Sequence, residues 1–167
     1  EPALETKCSE IKITVYRLAK NSQVAAAWIN AANNGKKVTV QVEMQARFDE
    51  KANIDYANTF REVGIRLVFG VKGLKVHSKI CYVTRENEQG EHEVFSFVST
   101  GNFNESTARI YTDYTLFTAN AKIANELKTV FDFFETPYQM PKFKHLIVSP
   151  HYTESSYAIL IENGIQN

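Results

Sequence analysis

Ile11, Ile13 and Val15 alternate with Lys12, Thr14 and Tyr16. Side chains on a strand switch faces at every residue, so this spacing predicts a strand over 11–16. The strand delivers Arg17 at its carboxyl end. Asn21 or Ser22 can cap a helix over 23–33, with Val24, Ala27, Trp28 and Ala31 on one face and Asn34-Gly35 as the stop. Val38, Val40, Val42 and Met44 mark a second strand over 37–44. Asp49 can cap a helix over 50–62, which Gly64 ends. Residues 65–69 read as a third strand, and Gly70 and Gly73 bracket a turn into a strand over 74–83. A polar tip at 85–91 leads to a returning strand over 94–98, and 111–117 reads as another. Residues 120–135 form an amphipathic helix with Ile123, Leu127, Val130, Phe131 and Phe134 inward, stopped by Pro137. Beyond it stand one apolar run, Leu146-Ile147-Val148, and a short helix after Thr153.

The βαβαβ order with short loops implies an α/β fold built on parallel strands, with ligands at their carboxyl ends. The packed pattern stops near Tyr138, so 1–137 is expected to be the working domain and 138–167 a tail leading toward a next one. The chain begins at Glu1 and stops just after a helical pattern, which reads as a piece of something longer.

Composition adds little to this picture. With 167 residues, 44% hydrophobic and 23% charged, the chain can bury a real core. A formal net charge of +0 argues against a nucleic-acid module, while leaving room for a local cationic pocket. Cys8 and Cys81 form no disulfide framework, and a reducing, cytoplasmic setting is the simpler expectation. No apolar run is long enough to span a bilayer.

The chemistry gathers at Gly73-Leu74-Lys75-Val76-His77-Ser78-Lys79. On a strand His77 and Lys79 face the same way, joining an imidazole that can act as a nucleophile to an ammonium that can neutralise phosphate oxygens. Arg17 and Arg47 each follow a predicted strand, where a guanidinium fork suits phosphate. Ser99-Thr100-Gly101-Asn102 offers hydroxyl, amide and backbone donors one hairpin after His77, or simply a turn. Arg109 could join this cradle or pair with a local carboxylate. Asp113 could orient the imidazole of His77 as acid partners do. His92, His145 and His151 lie in polar or terminal contexts and share no metal-ligand spacing, while Trp28 and the Phe131-Phe133-Phe134 cluster read as core or interface.

These stretches, together with Gln45-Ala46-Arg47-Phe48-Asp49-Glu50, Thr107-Ala108-Arg109-Ile110-Tyr111-Thr112-Asp113-Tyr114 and Val148-Ser149-Pro150, make the chain resemble the bacterial class 1 polyphosphate kinases. The resemblance implies a phospholipase-D-like α/β domain: a mixed sheet with a parallel βαβ core and flanking helices. It implies reversible transfer of the ATP terminal phosphate to polyphosphate, through a phosphohistidine at His77. By the same resemblance Tyr111 lies on the nucleotide, and Arg17 and Arg47 belong to the magnesium and phosphate region. A guanidinium has no lone pair for a metal, so both arginines are expected on phosphate, with magnesium on ATP oxygens and water. The match covers the first of two catalytic C-terminal domains. The expected partners are ATP or ADP, polyphosphate, the family's other domains and further copies of the parent, which lies in the cytoplasm or peripherally at the inner membrane. Taken alone, the chain is expected to be inactive.

Two departures bear on the alternatives. The wider phospholipase-D pattern has an Asp where this chain has Thr84, which disfavours a phosphodiesterase or nuclease reading. Phe97 stands where some relatives carry a histidine. A third reading is a non-catalytic module that binds polyphosphate or nucleotide.

Overall fold

The computed structural model describes residues 7–44 and 50–166. Its centre is a six-stranded sheet in the order β3-β2-β1-β4-β5-β6. The strands are β1 (Cys8–Val15), β2 (Lys37–Val42), β3 (Arg66–Phe69), β4 (Lys79–Glu86), β5 (His92–Ser99) and β6 (Thr115–Thr118). The helices are α1 (Gln23–Asn33), α2 (Glu50–Glu62), α3 (Ala121–Glu135) and α4 (Thr153–Gln166). The pairs β1–β2 and β2–β3 are parallel, whereas β1–β4, β4–β5 and β5–β6 are antiparallel. The expected mixed sheet with a parallel βαβ core is therefore what forms. The parallel run stops at β3, because no crossover helix separates β3 from β4.

Each face of the sheet has its own core. Ile11, Ile13, Val15, Val38, Val40 and Val42 pack with Trp28 of α1 and Phe60 of α2 on one face. Ile80 and Tyr82 pack with Leu127, Val130, Phe131 and Phe134 of α3 on the other. The apolar stripe of α3 is the one its periodicity gives. In α1, however, Ala25 rather than Ala27 is buried beside Trp28 and Ala31. Both are alanines, so local periodicity leaves the roll of this helix open and the sheet decides it.

The helix starts follow capping chemistry. Ser22 caps α1 by accepting the Ala25 N–H, and Asn120 caps α3 by accepting from Lys122 and Ile123. The Glu105 carboxylate adds a second cap at α1, accepting from the Ser22 hydroxyl at 3.0 Å and the Val24 N–H at 3.1 Å. The expected Asp49 cap of α2 lies outside the described residues.

Two strand expectations need correction. The stretch 74–83 is not one strand: β4 begins at Lys79, and His77 lies in an extended lead-in. Gly73 takes a φ of 81° in the turn bridged by Val71 and Leu74, and Val76 then gives its N–H to a side chain instead of a neighbouring strand. Likewise 111–117 is a strand only from Thr115. Upstream, Thr107–Arg109 forms a 3₁₀ turn closed by the Ile110 N–H to the Thr107 carbonyl, and the Tyr111 N–H bonds the same carbonyl, which holds Tyr111 outside the ladder. The tail helix α4 is longer than expected, 14 residues, with Tyr157, Ile159, Leu160 and Ile165 exposed.

Candidate active site

The site forms at the carboxyl end of β1, beside the start of β4. Tyr16, just past β1, is its hub. The Tyr16 and His77 rings meet edge to face, with centroids 4.6 Å apart and planes at 80°. The Lys79 Nζ lies 5.3 Å from the same ring centroid, and the Arg17 guanidinium carbon 5.7 Å. Three of the expected phosphate-handling residues, His77, Lys79 and Arg17, thus converge on one aromatic ring. The sequence offers no ligand-like signal in Tyr16, which looks like one more strand residue.

His77 and Lys79 differ in exposure. His77 is open to solvent, while Lys79 is 5% exposed and its ammonium donates to the His77 carbonyl. Partial burial lowers the His77 pKa, and the charges of Lys79, Arg17 and Lys75 lower it further. Both causes favour the neutral imidazole, the form whose nitrogen lone pair a nucleophile requires. Burial also brings Lys79 down to about 8; Asp113 pulls it back up and Arg17 pushes it down. This cation is short of counter-charge, and an arriving phosphate would supply it.

Asp113 acts here on Lys79. Its side chain accepts a hydrogen bond from the Thr100 hydroxyl at 3.0 Å, and among the described residues no hydrogen bond joins it to His77. The role of orienting the imidazole is thus not one the geometry gives it. Thr100 also accepts the Tyr114 N–H at 3.0 Å, and Ser99 accepts the Gly101 N–H at 3.1 Å. These hydroxyls close the loop on itself. A Cβ on Gly101 would fall 2.3 Å from an Asp113 carboxyl oxygen, so only glycine allows so close an approach. Asn102 differs, because its side-chain oxygen is enclosed and meets no donor among the described residues.

The remaining expected residues stay apart. Arg109 is exposed and Tyr111 is 66% exposed, and neither side chain bonds another described residue. Arg47 lies outside the described residues. Among the described residues no group of three His, Cys, Asp or Glu side chains could hold a metal ion, and a guanidinium has no lone pair to offer one.

Thr84 is in the far half of β4, hydrogen-bonded to Ser9 at 2.8 Å, with no contact to the His77 cluster. A cavity of about 670 Å³ opens on the other side of His77, between its loop and the tail. Leu127, Phe134, Phe143 and Val148 give it largely apolar walls, Lys75, His77 and His151 also line it, and Lys79 and Arg17 do not. Cys8 and Cys81 are buried, and burial pushes the Cys81 thiol up to about 12. No helix of the described residues is long and apolar enough to cross a membrane.

Two residues not marked by the sequence reading also belong here. Glu43, at the end of β2, accepts the Val76 N–H, and Thr14 of β1 bonds the backbone beyond His77. Their only sequence signal is polarity inside otherwise apolar strands.

Residues 1–140 match the family model described as polyphosphate kinase C-terminal domain 1. The chain is 45% identical to a polyphosphate kinase of Vibrio vulnificus over 167 residues, which is all of this chain and 24% of that protein. It is 48% identical to the polyphosphate kinase of Escherichia coli K12 over 157 residues, 94% of this chain and 23% of that one. The crystal structure of polyphosphate kinase from Porphyromonas gingivalis superposes with a TM-score of 0.84 at 40% identity, covering 99% of this chain and 28% of that one. The chain thus spans about a quarter of the length of its curated relatives. On its matched length and its fold, the chain belongs to the polyphosphate kinase family, as the part that contains C-terminal domain 1.

Proposed function

We propose that this chain carries the nucleophile of a polyphosphate kinase, with MgATP and polyphosphate as substrates. One observation carries the reading: His77, Lys79 and Arg17 gather on the Tyr16 ring, the imidazole edge to face and the Lys79 Nζ and Arg17 guanidinium carbon 5.3 and 5.7 Å from its centroid. An imidazole nitrogen of His77 attacks the γ-phosphorus in line. The new N–P bond forms as the bond to the β–γ bridging oxygen breaks, and ADP leaves. A terminal oxygen of polyphosphate then attacks the phosphorus, the N–P bond breaks, and His77 is regenerated. Lys79 and Arg17 disperse charge on the equatorial oxygens, with Arg47 as a second guanidinium. Magnesium arrives on the nucleotide phosphates as part of the substrate.

Asn102 offers an amide to the phosphates. Thr100 serves chiefly by closing its loop. Arg109 and Tyr111, exposed on the loop before β6, reach toward the nucleotide, the tyrosine by stacking on the base. Residues 1–137 make up the nucleophile-bearing unit, and 138–167 lead toward the remainder of a cytoplasmic, oligomeric enzyme.

The test uses γ-labelled ATP with magnesium, on this chain and on the full-length protein. Acid-labile label that maps to His77, and that disappears in His77→Ala, is the expected result. Wild-type labelling in that variant would sink the assignment. Label in the full-length protein alone would mean that the chain holds the nucleophile but needs its neighbours to complete the site.

A further inference from the structure

We infer that Glu43 and Thr14 are positioning residues that clamp the backbone on either side of His77; this rests on His77 being the phosphate carrier. His77 is the reacting side chain, yet its backbone lies outside the sheet, where no ladder of strand hydrogen bonds fixes it. Two buried side chains take the place of that ladder. On the amino side, the Glu43 Oε2 accepts the Val76 N–H at 2.9 Å. On the carboxyl side, the Thr14 hydroxyl donates to the Ser78 carbonyl at 2.7 Å and accepts the Ile80 N–H at 3.0 Å. His77 is held between these two points.

Both clamps are themselves fixed. Glu43 is 4% exposed and Thr14 is 1% exposed. The Glu43 N–H donates to the Val15 carbonyl at 2.9 Å, while the Asn53 side-chain amide donates to the Tyr16 and Glu43 carbonyls, each at 3.0 Å. The ends of β1 and β2, the first turn of α2 and the His77 lead-in thus form one connected block. A buried carboxyl group is costly unless it makes hydrogen bonds, and here it meets a main-chain donor next to the nucleophile. Apolar residues at positions 14 and 43 would fill the same space but leave Val76, Ser78 and Ile80 backbone groups without these partners. In-line attack tolerates little misplacement: about 1 Å can cost on the order of a hundredfold in rate.

The experiment measures single-turnover transfer of labelled phosphate from ATP to the full-length protein. Thr14→Val and Glu43→Leu remove the hydrogen bonds, Thr14→Ser and Glu43→Gln keep an oxygen in place, and His77→Ala is the control. The expected result is a loss of about tenfold to a hundredfold in the rate for the Val and Leu variants. Their KM for ATP stays within about twofold, and the Ser and Gln variants recover most of the rate, as positioning rather than binding requires. The His77 ring resonances should broaden or split in Thr14→Val but not in Thr14→Ser or Glu43→Gln, while those of His92 and His145 stay put throughout; this keeps the idea testable if the Leu variant does not fold. Wild-type rates with an unchanged His77 signal, or no recovery by Ser and Gln, would overturn the clamp and leave the nucleophile standing. Persistent label in His77→Ala would instead overturn the nucleophile.

Discussion

The β1–β2 half and the β5–β6 half of the sheet differ in burial, and the site lies between them. β2 is closed on both faces: Val38, Val40 and Val42 face one way and Thr39 and Gln41 the other, and all five are buried. β6 is open, with Leu116 52% and Phe117 69% exposed. β1 and β2 supply the frame that holds His77, through Tyr16, Thr14 and Glu43. The β5–β6 end carries the loop with Thr100, Asp113 and Tyr111, whose side chains turn to solvent or to one another. The buried half thus holds the proposed nucleophile, and the open half presents residues that a nucleotide or a neighbouring domain can cover.

The largest expected effect separates these ends by stability. Phe60 is 1% exposed and packs between Trp28 and Tyr56, at centroid distances of 5.9 and 5.7 Å. Phe60→Ala should cost about 3–5 kcal/mol. Among the described residues Phe117 meets one ring, Phe97, at 4.7 Å, and Phe117→Ala should cost about 1 kcal/mol or less. Denaturant midpoints measure both, and equal shifts would break the comparison.

A smaller effect sharpens it on the open side. Gly101→Ala drives a Cβ into the Asp113 side chain, 2.3 Å from its oxygen and 2.8 Å from its Cβ, so the Thr100–Asp113 bond must open. The loss should be about 1–2 kcal/mol. Faster amide exchange should appear at Tyr114, whose N–H bonds Thr100, and not at Val76. Protection lost at both amides would mean that the two ends are not separate.

The smallest effect is in pH. In the free enzyme, kcat/KM should rise as His77 loses its proton, below the ordinary imidazole value, and fall as Lys79 loses its own near 8. Asp113 raises the Lys79 pKa, so Asp113→Asn should move the alkaline limb to lower pH and leave the acid limb in place. Movement of the acid limb alone would return Asp113 to the imidazole.

What the sequence reveals divides along the same line. Ile11-Lys12-Ile13 and Val38-Thr39-Val40 alternate because their strands are regular, and α3 shows its apolar stripe because one face meets a sheet. The pairing of His77 with Lys79 is also legible, since two residues of extended chain return a side chain to the same side whether or not a ladder exists. The side of β1 that β4 takes is not legible, because strand direction depends on the connection and not on the strand itself. Tyr111 reads as a strand residue because Tyr-Thr-Asp-Tyr-Thr alternates, yet the turn at Thr107 and the hydroxyl closure at Thr100 take precedence. Glu43 and Thr14 stay hidden for a related reason: each bonds backbone distant in sequence, and backbone leaves no residue-type signal.

Glu105 bears on where incoming anions can bind. Its carboxyl pKa falls, because burial pushes it up but hydrogen bonds from the Val24 and other backbone amides and the Ser22 hydroxyl together outweigh that. The positive pole of α1, a natural phosphate seat near Arg17, is thus neutralised by a counter-ion from the chain itself. A polyanion with many equivalent phosphates could otherwise bind there in a register that misses the imidazole. With that pole occupied, the cations gathered at Tyr16 are left as the seat for phosphate on the proposed reading, which puts the bound phosphate beside His77.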